Sequence, residues 1–162
     1  MANDRHQKNC DGISAAVFSV FKIKVFLFFA LIDLTPKSFF DKIGLKELIS
    51  SCSAPVLGIS AGSMNMADTV YCPPELDGEG VDKDFVRYFD GLGLCDINIF
   101  PHYNDMKDFV LDGLRMMEDI VYPDTYRAPV LALPDGSYVL VENGKAEICG
   151  ESYLIVNGEI KK

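Results

Sequence analysis

The chain has 162 residues, 49% hydrophobic and 24% charged, which suits one domain with its own core and excludes a disordered chain. Its formal charge of −9, with no basic stripe to offset it, argues against nucleic acid and anionic membrane as partners, because both repel it. Five widely spaced cysteines (Cys10, Cys52, Cys72, Cys95, Cys149) form no Cys-x-x-Cys pair, which argues against a disulfide framework and a metal site and for a reducing, cytoplasmic setting.

Residues 1–12 are polar and without period and read as a loose terminus that holds His6. Residues 13–34 are very apolar, with Lys22 and Lys24 in the middle. Their β-branched and aromatic content predicts a buried strand or strands. The competing reading is a membrane anchor or signal segment, and the two central lysines weigh against it. Residues 35–50 predict a helix, capped by Thr35 with Pro36 in its first turn. A short apolar strand is expected over residues 56–59, and a second helix over 64–70. Residues 71–84 are a loop rich in Pro, Gly and acid. Residues 97–105 predict a buried strand that turns at Pro101, and 105–121 a helix with one apolar face. The chain closes in strands and hairpins, with turn signals at Pro-Asp-Gly 134–136 and Glu-Asn-Gly 142–144.

The chemistry concentrates at VLGISAGSMNM, residues 56–66. An apolar strand, a Gly-x-Ser-x-Gly turn and a helix-prone segment form the context of a nucleophile elbow. Gly58 and Gly62 flank Ser60 because such a turn crowds its neighbours. The following helix would present its N-terminal N–H groups and positive dipole end to developing negative charge. Serine needs a base. Of the two histidines, His102 is the candidate, since it follows a buried strand where α/β sites collect. A third group must orient the imidazole, and spacing alone does not choose among Glu75, Asp77, Glu79 and Asp105.

GISAGSMNMA, INIFPHYND and LALPDGSYVLVENGKAEICGESYLIVNGE, in that order, resemble peptidase family S51. This is the family of dipeptidase E (alpha-aspartyl dipeptidase) and cyanophycinase-like proteins. The resemblance runs from about Leu45 to the C-terminus. It implies an α/β fold of three layers around a mostly parallel sheet, of the class I glutamine amidotransferase-like or flavodoxin-like type, closed by antiparallel hairpins. It implies cofactor-free, cytoplasmic hydrolysis of short peptides that begin with aspartate. Ser60 would attack, His102 would act as base then acid, Glu75 would orient His102, and the Ala61 N–H would be one oxyanion donor. Relatives of this fold that transfer ammonia carry cysteine at the elbow, so serine points to hydrolysis.

The family also has a longer N-terminal half with a Gly-Gly-Asn type loop that supplies a second oxyanion donor. This chain has no Gly-Gly pair. The expected organisation is therefore a divergent segment over residues 1–36 and a hydrolase domain over 37–162, N-terminally shortened. Missing strands would bare apolar sheet and a long edge, so a second copy of the chain is an expected partner. The alternative to a peptidase is a non-catalytic relative that serves as an interaction module.

Overall fold

The computed structural model describes residues 40–51 and 55–161. The segments expected as a loose terminus and as a strand or anchor, residues 1–36, lie outside the described residues. Among those described, no helix is long and apolar enough to cross a membrane.

The architecture is mixed α/β. Its centre is a four-stranded sheet built from β3 (Ile99–Phe100), β6 (Val130–Ala132), β9 (Tyr153–Val156) and β10 (Glu159–Lys161), in the order β10-β9-β6-β3. β3 runs parallel to β6, with Ile99 opposite Leu131 and Phe100 opposite Ala132. β9 is antiparallel to both β6 and β10. Side chains alternate along a strand, so each sheet face needs its own cover. Phe100, Val130, Ala132 and Ile155 enter the main core, together with Tyr71, Tyr88, Tyr103, Met116, Met117, Ile120 and Val121. Ile99, Leu131 and Leu133 pack on the other face with Ile97 and Val139. Burial on both faces explains why β6 reads as a continuous apolar run.

Smaller ribbons surround this sheet. β1 (Thr69–Tyr71) pairs with β2 (Tyr88–Asp90), β4 (Val110–Leu111) with β5 (Leu114–Arg115), and β7 (Tyr138–Glu142) with β8 (Lys145–Cys149), all antiparallel. The β7–β8 and β9–β10 turns carry Asn143-Gly144 and Asn157-Gly158, each with positive φ at both residues. That is the twist-matched hairpin turn Asn-Gly favours. The Pro-Asp-Gly turn joins strands of different sheets instead, from β6 to β7.

The helical expectations are partly corrected. Of the helix expected over 35–50, α1 (Leu45–Ser50) is described; it buries Leu45 and Ile49 against Phe40, Leu92 and Val56. Residues 56–59 belong to no strand pairing among the described residues. The expected helix over 64–70 is α2 (Ala61–Met64), after which β-prone Thr69, Val70 and Tyr71 pair with β2. The expected helix over 105–121 is broken into α3 (Tyr103–Met106), the β4–β5 hairpin and a π-helix (Met116–Val121) that leads into α4 (Tyr122–Asp124). Asp112 and Gly113, at φ 54° and 80°, make the hairpin turn that interrupts it. The apolar spacing was real, and its members Met117, Ile120 and Val121 are buried, but on the π-helix.

Ile155 has no exposed surface and joins the main core from the middle of the sheet. Ile155→Ala is expected to cost about 2–5 kcal/mol in urea unfolding. A change within about 0.5 kcal/mol, as at a surface position, contradicts this packing.

Candidate functional site

Ser60 sits between residues 56–59 and α2, at φ 54° and ψ −126°. A non-glycine residue held there is strained, on the order of 1–3 kcal/mol, and persists only where its surroundings over-determine it. Those surroundings are visible. A Cβ on Gly58 would lie 2.5 Å from the Gly62 carbonyl oxygen and 2.8 Å from the Ser63 nitrogen. The chain crosses itself too closely there for any side chain. The Gly62 N–H donates to the Ile59 carbonyl at 2.9 Å, and the Ser63 hydroxyl to the Ser60 carbonyl at 2.6 Å. Buried Asn65 donates its amide to the Ala61 carbonyl at 3.0 Å. Ser63 and Asn65 tie the elbow together, and the motif reading did not single them out. Because α2 has only four residues, the dipole contribution expected from a longer helix is smaller.

His102 follows β3 and also has positive φ, 56°. α2 lies against β3, which brings the elbow to the strand's end. His102 Nε2 is 3.0 Å from Ser60 Oγ. His102 Nδ1 is 2.8 Å from Asp135 Oδ1. A carboxylate only accepts, so Nδ1 carries the proton and Nε2 is left to accept from the Ser60 hydroxyl.

Asp135 was not among the four acids expected, and it replaces Glu75 as the group that hydrogen-bonds the imidazole. The physical reason is the parallel register. Phe100 lies opposite Ala132, so His102 and Asp135 emerge together at the carboxyl ends of β3 and β6. The Tyr103 N–H donates to the Leu133 carbonyl at 3.1 Å, and the Leu133 N–H to Phe100 at 2.9 Å, which locks the two turns together. The signal was present as Leu-Pro-Asp-Gly, read only as a turn.

The other expected acids lie as follows. Asp105 is exposed on α3, where its backbone N–H donates to the His102 carbonyl. Asp77 is exposed in the loop after β1. Glu79 turns its carboxylate inward on its own loop and accepts the Glu75 N–H at 2.8 Å and the Leu76 N–H at 2.9 Å. Glu75 is coupled to His102 by charge. Burial, then Glu79, push its carboxyl up, and His102 pulls it down. Both ring nitrogens of His102 are already engaged, by Ser60 and Asp135.

Ala61 opens α2, where a helix leaves N–H groups without an intrahelical acceptor. The next two N–H groups, of Gly62 and Ser63, are used within the turn, on Ile59 and Ser60. Among the described residues no cluster of three His, Cys, Asp or Glu could hold a metal ion.

Gly58→Ala is expected to lower stability by about 1–3 kcal/mol through overpacking, measured by thermal or urea unfolding. An unchanged protein contradicts the close crossing. Burial, then Glu75 and Glu79, push the Cys72 thiol up to about 12, against a smaller opposing effect of Arg87. Native protein is therefore expected to leave Cys72 unalkylated by iodoacetamide under mildly alkaline conditions, with modification only after unfolding. Rapid native alkylation at Cys72 contradicts this.

The family model of peptidase family S51 matches residues 29–149, which is more than half of the chain. No curated protein matches the chain. With its elbow serine, histidine and aspartate inside the matched span, the chain belongs to peptidase family S51.

Proposed function

We propose that the protein is a serine-type peptidase that hydrolyses short peptides, with N-terminal aspartyl dipeptides as the substrate class. One observation carries the reading: a strained Ser60 lies 3.0 Å from His102 Nε2, whose Nδ1 is 2.8 Å from Asp135. Family membership supports peptidase activity in general.

In this reading Ser60 Oγ attacks the scissile carbonyl while His102 Nε2 takes its proton. Asp135 holds the tautomer that makes Nε2 basic and stabilises the imidazolium as it forms. The Ala61 N–H donates to the oxyanion, where one such donor is worth about 10²–10³ in rate. Collapse passes the proton from His102 to the leaving amine and leaves an acyl-Ser60 ester. Water, deprotonated by His102, then releases the acid and restores the hydroxyl. No cofactor enters any step.

Burial on both faces of the central sheet supports a layered fold of the class I glutamine amidotransferase-like type. We take residues 37–162 as the hydrolase domain, cytoplasmic, with a second copy as its partner. The non-catalytic reading draws on exposed Leu57 and Ile59, which leave an apolar surface beside the elbow.

The test is intact-mass labelling with a fluorophosphonate, followed by hydrolysis of an Asp-Leu dipeptide. A single adduct that Ser60→Ala and His102→Ala each abolish is expected. Asp135→Asn is expected to lower kcat by as much as about 10⁴-fold, far more than Asp105→Asn. A folded wild-type protein that takes no adduct overturns the peptidase reading in favour of the interaction module. An Asp135→Asn variant with undiminished turnover removes Asp135 from the mechanism.

A further inference from the structure

Three donors meet on the Ser60 carbonyl. The Ser63 hydroxyl donates to it at 2.6 Å, the Ser63 N–H at 2.9 Å and the Met64 N–H at 3.3 Å. A carbonyl oxygen has two lone pairs, and the two shorter bonds, both from Ser63, fill them. The backbone at residue 63 has no room to move away. A Cβ on Gly58 would lie 2.8 Å from the Ser63 nitrogen, so the crossing chain pins it in place. Asn65 acts one peptide further on, at the Ala61 carbonyl, and its own carbonyl accepts the Leu92 N–H at 2.9 Å, which ties it to the core around Leu92. Ser63 instead bonds the residue that carries the nucleophilic hydroxyl.

The Ser60 carbonyl belongs to the peptide that joins Ser60 to Ala61, and that peptide is planar. Holding its oxygen holds the Ser60 ψ at −126° and turns the Ala61 N–H to the opposite side. Ser60 needs this hold, because φ 54° with ψ −126° is a strained conformation for a residue with a side chain. Rotation of this one plane releases the strain. It would break both Ser63 bonds and shift the backbone beneath Oγ, which stands 3.0 Å from His102 Nε2.

We propose that Ser63 is a positioning residue for the hydrolytic site, whose hydroxyl clamps the Ser60–Ala61 peptide and so keeps Ser60 in the strained conformation from which it attacks. The inference rests on the reading of Ser60 as the nucleophile and the Ala61 N–H as an oxyanion donor. The clamp serves both groups. It keeps Ser60 Oγ at the imidazole, and donation to the carbonyl polarises the peptide, which makes the N–H at its far end a better donor. Its loss therefore acts on the bond-forming step and leaves the encounter with the probe unchanged.

The test measures fluorophosphonate capture at Ser60 against probe concentration, which separates the maximal capture rate from the half-saturating concentration. Wild type is compared with Ser63→Ala, Ser63→Thr and Ser63→Cys. In a helix a threonine hydroxyl reaches the carbonyl three or four residues back, so Ser63→Thr restores the bond that Ser63→Ala removes. Cysteine keeps nearly the same shape but donates weakly. Ser63→Ala is expected to lower the maximal rate about 3–10-fold, the worth of one hydrogen bond, with the half-saturating concentration unchanged. Ser63→Thr is expected to recover the rate. Ser63→Cys is expected to be slow like Ser63→Ala, and it decides the matter should Ser63→Ala fail to fold. A wild-type maximal rate in Ser63→Ala or Ser63→Cys, whatever the unfolding temperature, makes Ser63 a structural residue and overturns the inference. A folded Ser63→Thr variant as slow as Ser63→Ala overturns it as well. A wild-type protein that takes no adduct overturns the peptidase reading, and the inference with it, before any variant is compared.

Discussion

Two residues of parallel pairing decide where His102 and Asp135 meet. Ile99 and Phe100 lie opposite Leu131 and Ala132, and everything at the site is counted from that register. His102 is two residues beyond Phe100, and Asp135 three beyond Ala132. A one-residue slip would reverse the faces of the strand and send Phe100 out of the main core, a cost the packing forbids. The core therefore fixes the register, and the register fixes the histidine–aspartate pair. His102 and Asp135 are themselves open to solvent, with 43% and 73% of their side-chain surface exposed. Their alignment comes from the buried strands beneath them.

Positive φ at non-glycine positions occurs at the candidate site, and also in the hairpin turns at Asp112, Asn143 and Asn157. Ser60, His102 and Asp112 all occupy positive φ without being glycine. Each is held by contacts that leave little choice: the Gly58–Gly62 crossing for Ser60, the Tyr103–Leu133 and Leu133–Phe100 bonds for His102, and the Gly78 and Gly80 donors for Asp112. The strained elbow sets the Ser60 hydroxyl 3.0 Å from His102 Nε2, the kind of preorganisation that the proposed nucleophilic attack would require.

The same residues show how far the sequence could be read. The Gly-x-Ser-x-Gly elbow was legible because local crowding dictates its glycines, and Gly58 meets that crowding as the motif demands. His102 was legible because a chain with two histidines offers little choice. Asn143-Gly144 was legible because a two-residue turn needs positive φ at both positions. The helix over residues 105–121 was misread because apolar spacing was taken as continuous through Asp112-Gly113, a hairpin turn as local as Asn143-Gly144. The acid was sought in the loop 23–27 residues before His102 and at Asp105 just after it, whereas the parallel pairing of β3 with β6 brings Asp135 to the imidazole from 33 residues further on.

The sequence by itself determined the elbow, the histidine that meets it, the hairpin turns and the family resemblance, because each depends on a few neighbouring residues or on composition. Only the tertiary structure decided which carboxylate meets the imidazole. It also decided that Glu79 and Asp112 serve the loop backbone and that the apolar residues after Arg115 wind as a π-helix. Those outcomes follow from strand register and shared burial between segments far apart in the chain, which no local pattern encodes.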